Sequence, residues 1–354
     1  MRSIFCSAAI GALLALLWCA VPINAGPQDI VYAHPAQLVS ITLTRLNMYC
    51  MGTGSPTVVF DAGWEDWSAS WALVQGSVAK WTRACSYDRA GAGFSDPGPM
   101  PRTSVRIADE LHEALRRAGM DGPYVLVGHS FGGYNVRAFA DRYVNDVAGM
   151  VLVDGEDGDV ESQRDRLAND RAFETYIKQL RKCRDALAAG RALPVLGARH
   201  GHGGIACPRQ FFRGLPERRF SDALNAAILA VVNSKIALYD EVISEMAEMP
   251  WDEEYLIRSR RSLGKRPLRI LTAQNHYDDT SHTGIALHRK HTSAETALAH
   301  VQGRWLSLSS NSEQIFAYAS GHYIQLDQPN LVIDAIRSII QEWRTNRVQG
   351  HSGS

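Results

Sequence analysis

The chain has 354 residues, 45% of them hydrophobic, with 37 basic and 37 acidic side chains and a formal net charge of zero. That length and apolar content suffice for a large core in one domain with an insertion. The balanced charge, with no basic stripe interleaved with aromatics, removes the electrostatic grounds for binding nucleic acid or an acidic membrane surface.

The N-terminal residues 1–25 read as a secretory signal. Arg2 gives a positive start, Ile10 to Val21 is apolar and broken only by small residues, and Ile23-Asn24-Ala25 before Gly26 resembles a small-residue cleavage site. The run falls short of the roughly 20 residues a membrane span needs. Trp18 before Cys19 is too bulky for a lipoprotein site. The expectation is a secreted or periplasmic protein with no transmembrane segment once the signal is removed. Cys6 and Cys19 leave with it. Cys50, Cys85, Cys183 and Cys207 remain, and an even set in an oxidising compartment implies disulfides, with three pairings open.

Along the chain, Ile41 to Cys50 alternates as a strand, and Gly52 to Pro56 is a turn. Thr57 to Phe60 is an apolar β run entering Asp61-Ala62-Gly63-Trp64. Arg83 to Tyr87 is a further strand, ending in the glycine-rich Asp88 to Gly93. Thr103 can cap a helix carrying Val105, Ile107, Ala108, Leu111 and Leu115 at helical spacing, stopped by Gly119. Tyr124 to Val127 is a buried strand, Tyr134 to Tyr143 a helix, and Met150 to Asp154 another strand.

The pattern then breaks. Residues 156–265 are charged and helical, and read as an inserted helical cap. The sheet resumes at Leu268 to Thr272. A helix near Glu295 to Leu308, a strand near Gln314 to Ala319 and a helix near Leu331 to Arg344 follow. Residues 26–155 and 266–345 form the core, and 346–354 are expected to be disordered. Short apolar strands alternating with amphipathic helices predict an α/β fold: a mostly parallel sheet with helices on both faces.

Gly128-His129-Ser130-Phe131-Gly132 fits G-x-S-x-G between a strand and a helix, the context that lifts a serine above the sheet edge. The flanking positions must be small where strand and helix backbones crowd. The Phe131 N–H then stands at a helix N-terminus, where donors are unpaired and negative charge is favoured. A serine hydroxyl needs a base. His322, in Ser320-Gly321-His322-Tyr323-Ile324-Gln325, follows a strand and precedes the last helix. His129 sits on the tight turn itself, His112 lies within a helix, and His200 and His202 lie in the cap. His276, His282, His288 and His291, with Asp278 and Asp279, match no metal-ligand spacing, so no metal is expected.

These motifs resemble the α/β-hydrolase family of esterases, lipases, epoxide hydrolases and haloalkane dehalogenases. The matching pieces are Ser86-Tyr87-Asp88-Arg89-Ala90-Gly91, Gly128 to Gly133, and Gly321-His322 followed by Asp327-Gln328-Pro329. Epoxide hydrolases and dehalogenases carry an aspartate at the elbow. Ser130 therefore implies the esterase-like branch, a small-molecule substrate with an ester-like bond, and no cofactor. The resemblance implies a second oxyanion donor in the loop after the Thr57–Phe60 strand, where many relatives have His-Gly and this chain has Ala62-Gly63-Trp64. By that match the donor is the Trp64 N–H. Trp64, Trp67 and Trp71 fit either an acyl pocket or packing beneath the cap. The implied topology sets the strand ending at Cys50 beside that of Cys85, giving Cys50–Cys85 and, within the cap, Cys183–Cys207.

The triad acid has two possible positions in this fold. The loop after Leu268–Thr272 is the commoner, but Ala273 to Tyr277 separates Asp278 from the strand. Asp154 directly ends its own strand and is preferred, with Asp278 the alternative. Amide, lactone or carbon–carbon bond hydrolysis would use the same residues. A catalytically silent hydrolase-like binding protein is the reading from another class, and the retained serine and histidine count against it.

Overall fold

The computed structural model describes residues 29–155, 163–191, 193, 215–274 and 301–351. Five strands are buried at every position: β3 (Thr57–Asp61), β4 (Ala84–Tyr87), β5 (Tyr124–His129), β6 (Val147–Val153) and β7 (Leu268–Ala273). Continuous burial of Val, Ile and Leu runs is what a parallel sheet covered on both faces requires. The remaining strands are β1 (Gln37–Ser40), β2 (Arg45–Met51) and β8 (Ser312–Ala317). Their order is β1-β2-β4-β3-β5-β6-β7-β8, with the β1–β2 and β2–β4 pairs antiparallel and the others parallel.

Helices α2 (Ser104–Arg117) and α3 (Gly132–Arg142) cover one face through Ile107, Leu111, Val136 and Phe139. Thr103 caps α2 by accepting a bond from the Arg106 N–H at 3.2 Å, as its sequence position predicts. The other face is covered by α1 (Gln75–Val78) and α8 (Pro329–His351), through Val78, Val332, Ile336 and Ile339. Between β6 and β7 the chain forms α4 (Gln163–Ala188), α5 (Asp222–Val232) and α6 (Ile236–Ser259), which share a separate apolar cluster with Tyr49, Trp67 and Leu326. A short helix α7 (Ile324–Asp327) precedes α8. No described helix is long and apolar enough to cross a membrane.

Cys50 and Cys85 are direct register partners on β2 and β4, and they form a disulfide with Cα atoms 4.1 Å apart. Cys183 is also disulfide-bonded; Cys207 lies outside the described residues. Several boundaries differ from expectation: the last strand spans Ser312–Ala317, and Arg304–Leu308 is a 3-10 helix. Ile41 does not open a strand: its N–H bonds the Thr44 carbonyl at 2.9 Å, closing a hairpin turn between β1 and β2. At the C-terminus residues 346–351 are helical rather than disordered. Past Arg344 the residues are mostly weak helix formers, and the added turn is supported by Arg347, which stacks on Trp343 one turn earlier, 4.9 Å from the ring centroid.

Candidate active site

The turn between β5 and α3 holds Ser130 at φ 50°, a left-handed conformation that L-residues adopt at a cost. Two backbone bonds pin it: Ser130 N–H to the Val153 carbonyl at 3.1 Å, and Gly133 N–H to the Ser130 carbonyl at 2.8 Å. A Cβ on Gly128 would lie 2.4 Å from the Gly132 carbonyl oxygen, and one on Gly132 would lie 2.4 Å from that of Asp61. Both distances forbid a side chain, which is the physical content of the two glycines in the motif.

The loop after β3 runs beside this turn. A Cβ on Gly63 would sit 2.9 Å from His129 Nδ1 and 3.3 Å from Ser130 Cβ. The Trp64 ring stacks on Phe131 at 5.3 Å and meets the edge of Phe173 of α4 at 5.4 Å. Among the described residues, neither the Trp64 nor the Phe131 backbone N–H donates to a protein acceptor. Both are the donors singled out for an oxyanion. Trp71 is placed differently: it is fully buried against Phe60 at 4.9 Å, as core packing. Trp67 is buried in the cluster shared with the helices between β6 and β7.

Asp154 directly follows β6 at φ 45°, with its side chain fully buried. Its Oδ2 accepts from His322 Nδ1 at 2.7 Å. A carboxylate is an acceptor only, so the proton of the neutral imidazole is on Nδ1 and Nε2 is left as the base. The His322 carbonyl lies 3.1 Å from His129 Nε2, and the two rings are 4.7 Å apart. His322 is thereby held beside the turn that carries Ser130. The structure thus brings Asp154 and His322 together; Asp278 lies outside the described residues.

No motif or spacing announces the residues that support Asp154. Its Oδ1 accepts from the Ala273 N–H at 3.0 Å and from Gln302 Nε2 at 3.1 Å. Gln302 is oriented in turn by the Thr272 hydroxyl, which donates to its Oε1 at 2.6 Å. Gln314 Nε2 donates to that hydroxyl at 2.9 Å. Glu65 was also missed. It is buried at φ 64°, accepts a bond from Tyr176 of α4, and burial pushes its carboxyl up to about 8. Ser130, Asp154 and Glu65 are the described non-glycine residues with positive φ.

His112 is structural: it bonds Asp146 at 2.9 Å and stacks on Tyr143. Among the described residues no group of three metal-ligating side chains converges. The remaining histidines weighed from sequence (His200, His202, His276, His282, His288 and His291), with Asp279, lie outside the described residues.

Residues 56–198 match the family model of the alpha/beta hydrolase fold. A protein of Gibberella zeae described as an AB hydrolase superfamily protein is 23% identical over 81% of this chain and 86% of its own length. An uncharacterized protein of Schizosaccharomyces pombe is 43% identical over 84 residues, which is 24% of this chain and 15% of that protein. Among solved structures, a thermophilic esterase from Thermogutta terrifontis is similar with a TM-score of 0.59 and 20% identity, over 87% of this chain and 99% of its own. A putative epoxide hydrolase from Pseudomonas aeruginosa is similar with a TM-score of 0.60 and 14% identity, over 87% of this chain and 96% of its own.

Proposed function

Starting from the α/β-hydrolase fold that this chain has, we propose that it is an exported serine hydrolase that cleaves an ester-like bond in a small molecule through an acyl-enzyme on Ser130. The observation that carries this reading is the 2.7 Å bond from His322 Nδ1 to a fully buried Asp154, formed beside the left-handed Ser130 turn. Asp154 holds the imidazole in the tautomer that leaves Nε2 basic. His322 takes the Ser130 proton as the oxygen attacks the carbonyl carbon, then delivers it to the leaving alcohol. Trp64 and Phe131 N–H groups carry the negative oxygen of the tetrahedral intermediate. Water attacks the acyl-enzyme in the reverse sense, with His322 again accepting the proton, and the acid departs.

A serine rather than an aspartate at the elbow favours the esterase-like branch over epoxide or haloalkane chemistry. The Cys50–Cys85 disulfide supports an oxidising compartment. The test is Ser130→Ala. Hydrolysis of p-nitrophenyl esters and labelling by a fluorophosphonate should both vanish while the fold is retained. Full labelling of the alanine variant would refute the assignment. Export is tested by the intact mass of protein from the exported fraction, expected to begin at Gly26.

A further inference from the structure

Arg89 follows β4 and is only 2% exposed. All five of its N–H groups are engaged. Nη1 donates to Asp61 Oδ1 at 3.0 Å and to the Ala62 carbonyl at 2.7 Å. Nη2 donates to the Gly63 carbonyl at 2.8 Å and to Glu245 Oε2 at 3.2 Å. Nε is divided between Glu245 Oε1 at 2.6 Å and Glu241 Oε1 at 3.1 Å. The guanidinium also lies 5.6 Å from the centroid of the Phe131 ring.

This pattern constrains the loop beside Ser130. The Gly63 carbonyl and the Trp64 N–H belong to one planar peptide and point in opposite directions. A carbonyl fixed on Arg89 aims the Trp64 N–H away from the guanidinium. We propose that Arg89 is the positioning residue of the oxyanion hole, clamping the Ala62 and Gly63 carbonyls, and with them the Gly63–Trp64 peptide plane, against Glu245 of helix α6. The proposal rests on the reading of Ser130 as nucleophile and Trp64 N–H as oxyanion donor.

Arginine is required for its shape as well as its charge. A planar fork reaches two successive carbonyls on one side and a carboxyl on another, whereas one ammonium cannot span them. The surroundings are matched to a cation. Asp61, Glu241 and Glu245 all lie within ion-pair distance of Arg89. Burial pushes the Asp61 and Glu245 carboxyls upward, opposed by the charge of Arg89.

The test compares wild type, Ser130→Ala and Arg89→Lys, each checked for folding by thermal melt. The measurements are kcat and KM on a p-nitrophenyl ester, and inhibition by an alkyl trifluoromethyl ketone. In that adduct the Ser130 oxygen adds to the carbonyl carbon, its proton passes to His322, and the ketone oxygen becomes an oxyanion. Arg89→Lys should lower kcat about 10²-fold, the scale of losing one oxyanion donor, with KM within about threefold. Inhibitor affinity should fall by a similar factor. Unchanged kcat and inhibition in folded Arg89→Lys, with Ser130→Ala inactive, would overturn the role of Arg89 alone. An active Ser130→Ala would overturn the underlying reading. If the lysine variant fails to fold, a crystal structure of the wild-type adduct decides. The oxyanion should lie within hydrogen-bond reach of the Trp64 N–H, with the Gly63 carbonyl still on Arg89. A turned peptide, with that carbonyl released, would overturn the proposal.

Discussion

The Asp154 side chain is fully buried, so the groups around it decide how well it can hold His322. Its two oxygens divide the work: Oδ2 faces His322 Nδ1, while Oδ1 is held by the Ala273 N–H and Gln302 Nε2. The Gln302 amide cannot flip without facing its NH₂ away from Asp154, because the Thr272 hydroxyl donates to its Oε1. Gln302→Leu removes one bond to a charged acceptor, worth about 1.5–3 kcal/mol. The expected outcome is a fall in kcat of roughly tenfold to a hundredfold with KM little changed. Asp154→Asn should be more damaging, because an amide facing Nδ1 favours the wrong tautomer and costs about 10⁴-fold. Steady-state kinetics on the three proteins at pH 7–8 checks this order. A Gln302→Leu variant with altered melting temperature but wild-type kcat would make the glutamine a packing residue only.

The turn between β5 and α3 was legible in the sequence because its requirements are local: small residues on either side of Ser130, a buried strand before and a helix after. The structure gives each glycine a separate reason, and this makes a paired prediction. A Cβ on Gly132 would meet the Asp61 and Ala62 carbonyl oxygens at 2.4 and 2.7 Å, both backbone atoms of the neighbouring strand and its loop. A Cβ on Gly133 finds its nearest neighbour, Gly155 Cα, at 3.4 Å, an ordinary contact. Gly132→Ala should therefore lose about 1–3 kcal/mol of stability and most activity, while Gly133→Ala keeps both. Urea unfolding and ester turnover of the two variants read the difference, and equal tolerance would deny the close approach of α3 to β3. Other parts were not legible, for reasons of the same kind. Gln302 reaches Asp154 from far along the chain, and no spacing announces such a contact. Glu241 and Glu245 lie in the charged helical segment 156–265, where no motif sets them apart, yet both are buried on Arg89. β1 escaped notice because a four-residue edge strand has little periodicity to show.

Across the whole molecule, the helices between β6 and β7 meet the core through buried polar contacts as well as apolar ones. Lys235 Nζ of the segment entering α6 donates to the Gly93 carbonyl at 2.8 Å. Asp252 accepts from the Ser104 N–H at 2.9 Å and its hydroxyl at 3.1 Å. Tyr176 of α4 donates to Glu65. Such contacts fix orientation more than they add net stability, because each charged group loses its water. Glu65 makes this measurable. Burial is the chief cause that raises its carboxyl from an ordinary 4.5 to about 8, with Asp66 and Glu241 adding repulsion and the Tyr176 bond opposing it. Between those values the folded chain keeps a proton that the unfolded chain releases, so stability must fall as pH rises through this window. The contribution is complete below about 4.5 and gone above about 8. Glu65→Gln has no proton to lose. Urea midpoints of both proteins at pH 5, 7 and 9 should show the glutamine variant gaining on wild type with each step, by on the order of a few kcal/mol across the range. The comparison cancels carboxyls common to both chains, including Asp252, which burial lifts to about 7. A difference between the two proteins that stays constant from pH 5 to 9 would mean that Glu65 titrates as an ordinary carboxyl. Its contact with Tyr176 would then hold a charged group in a solvated setting.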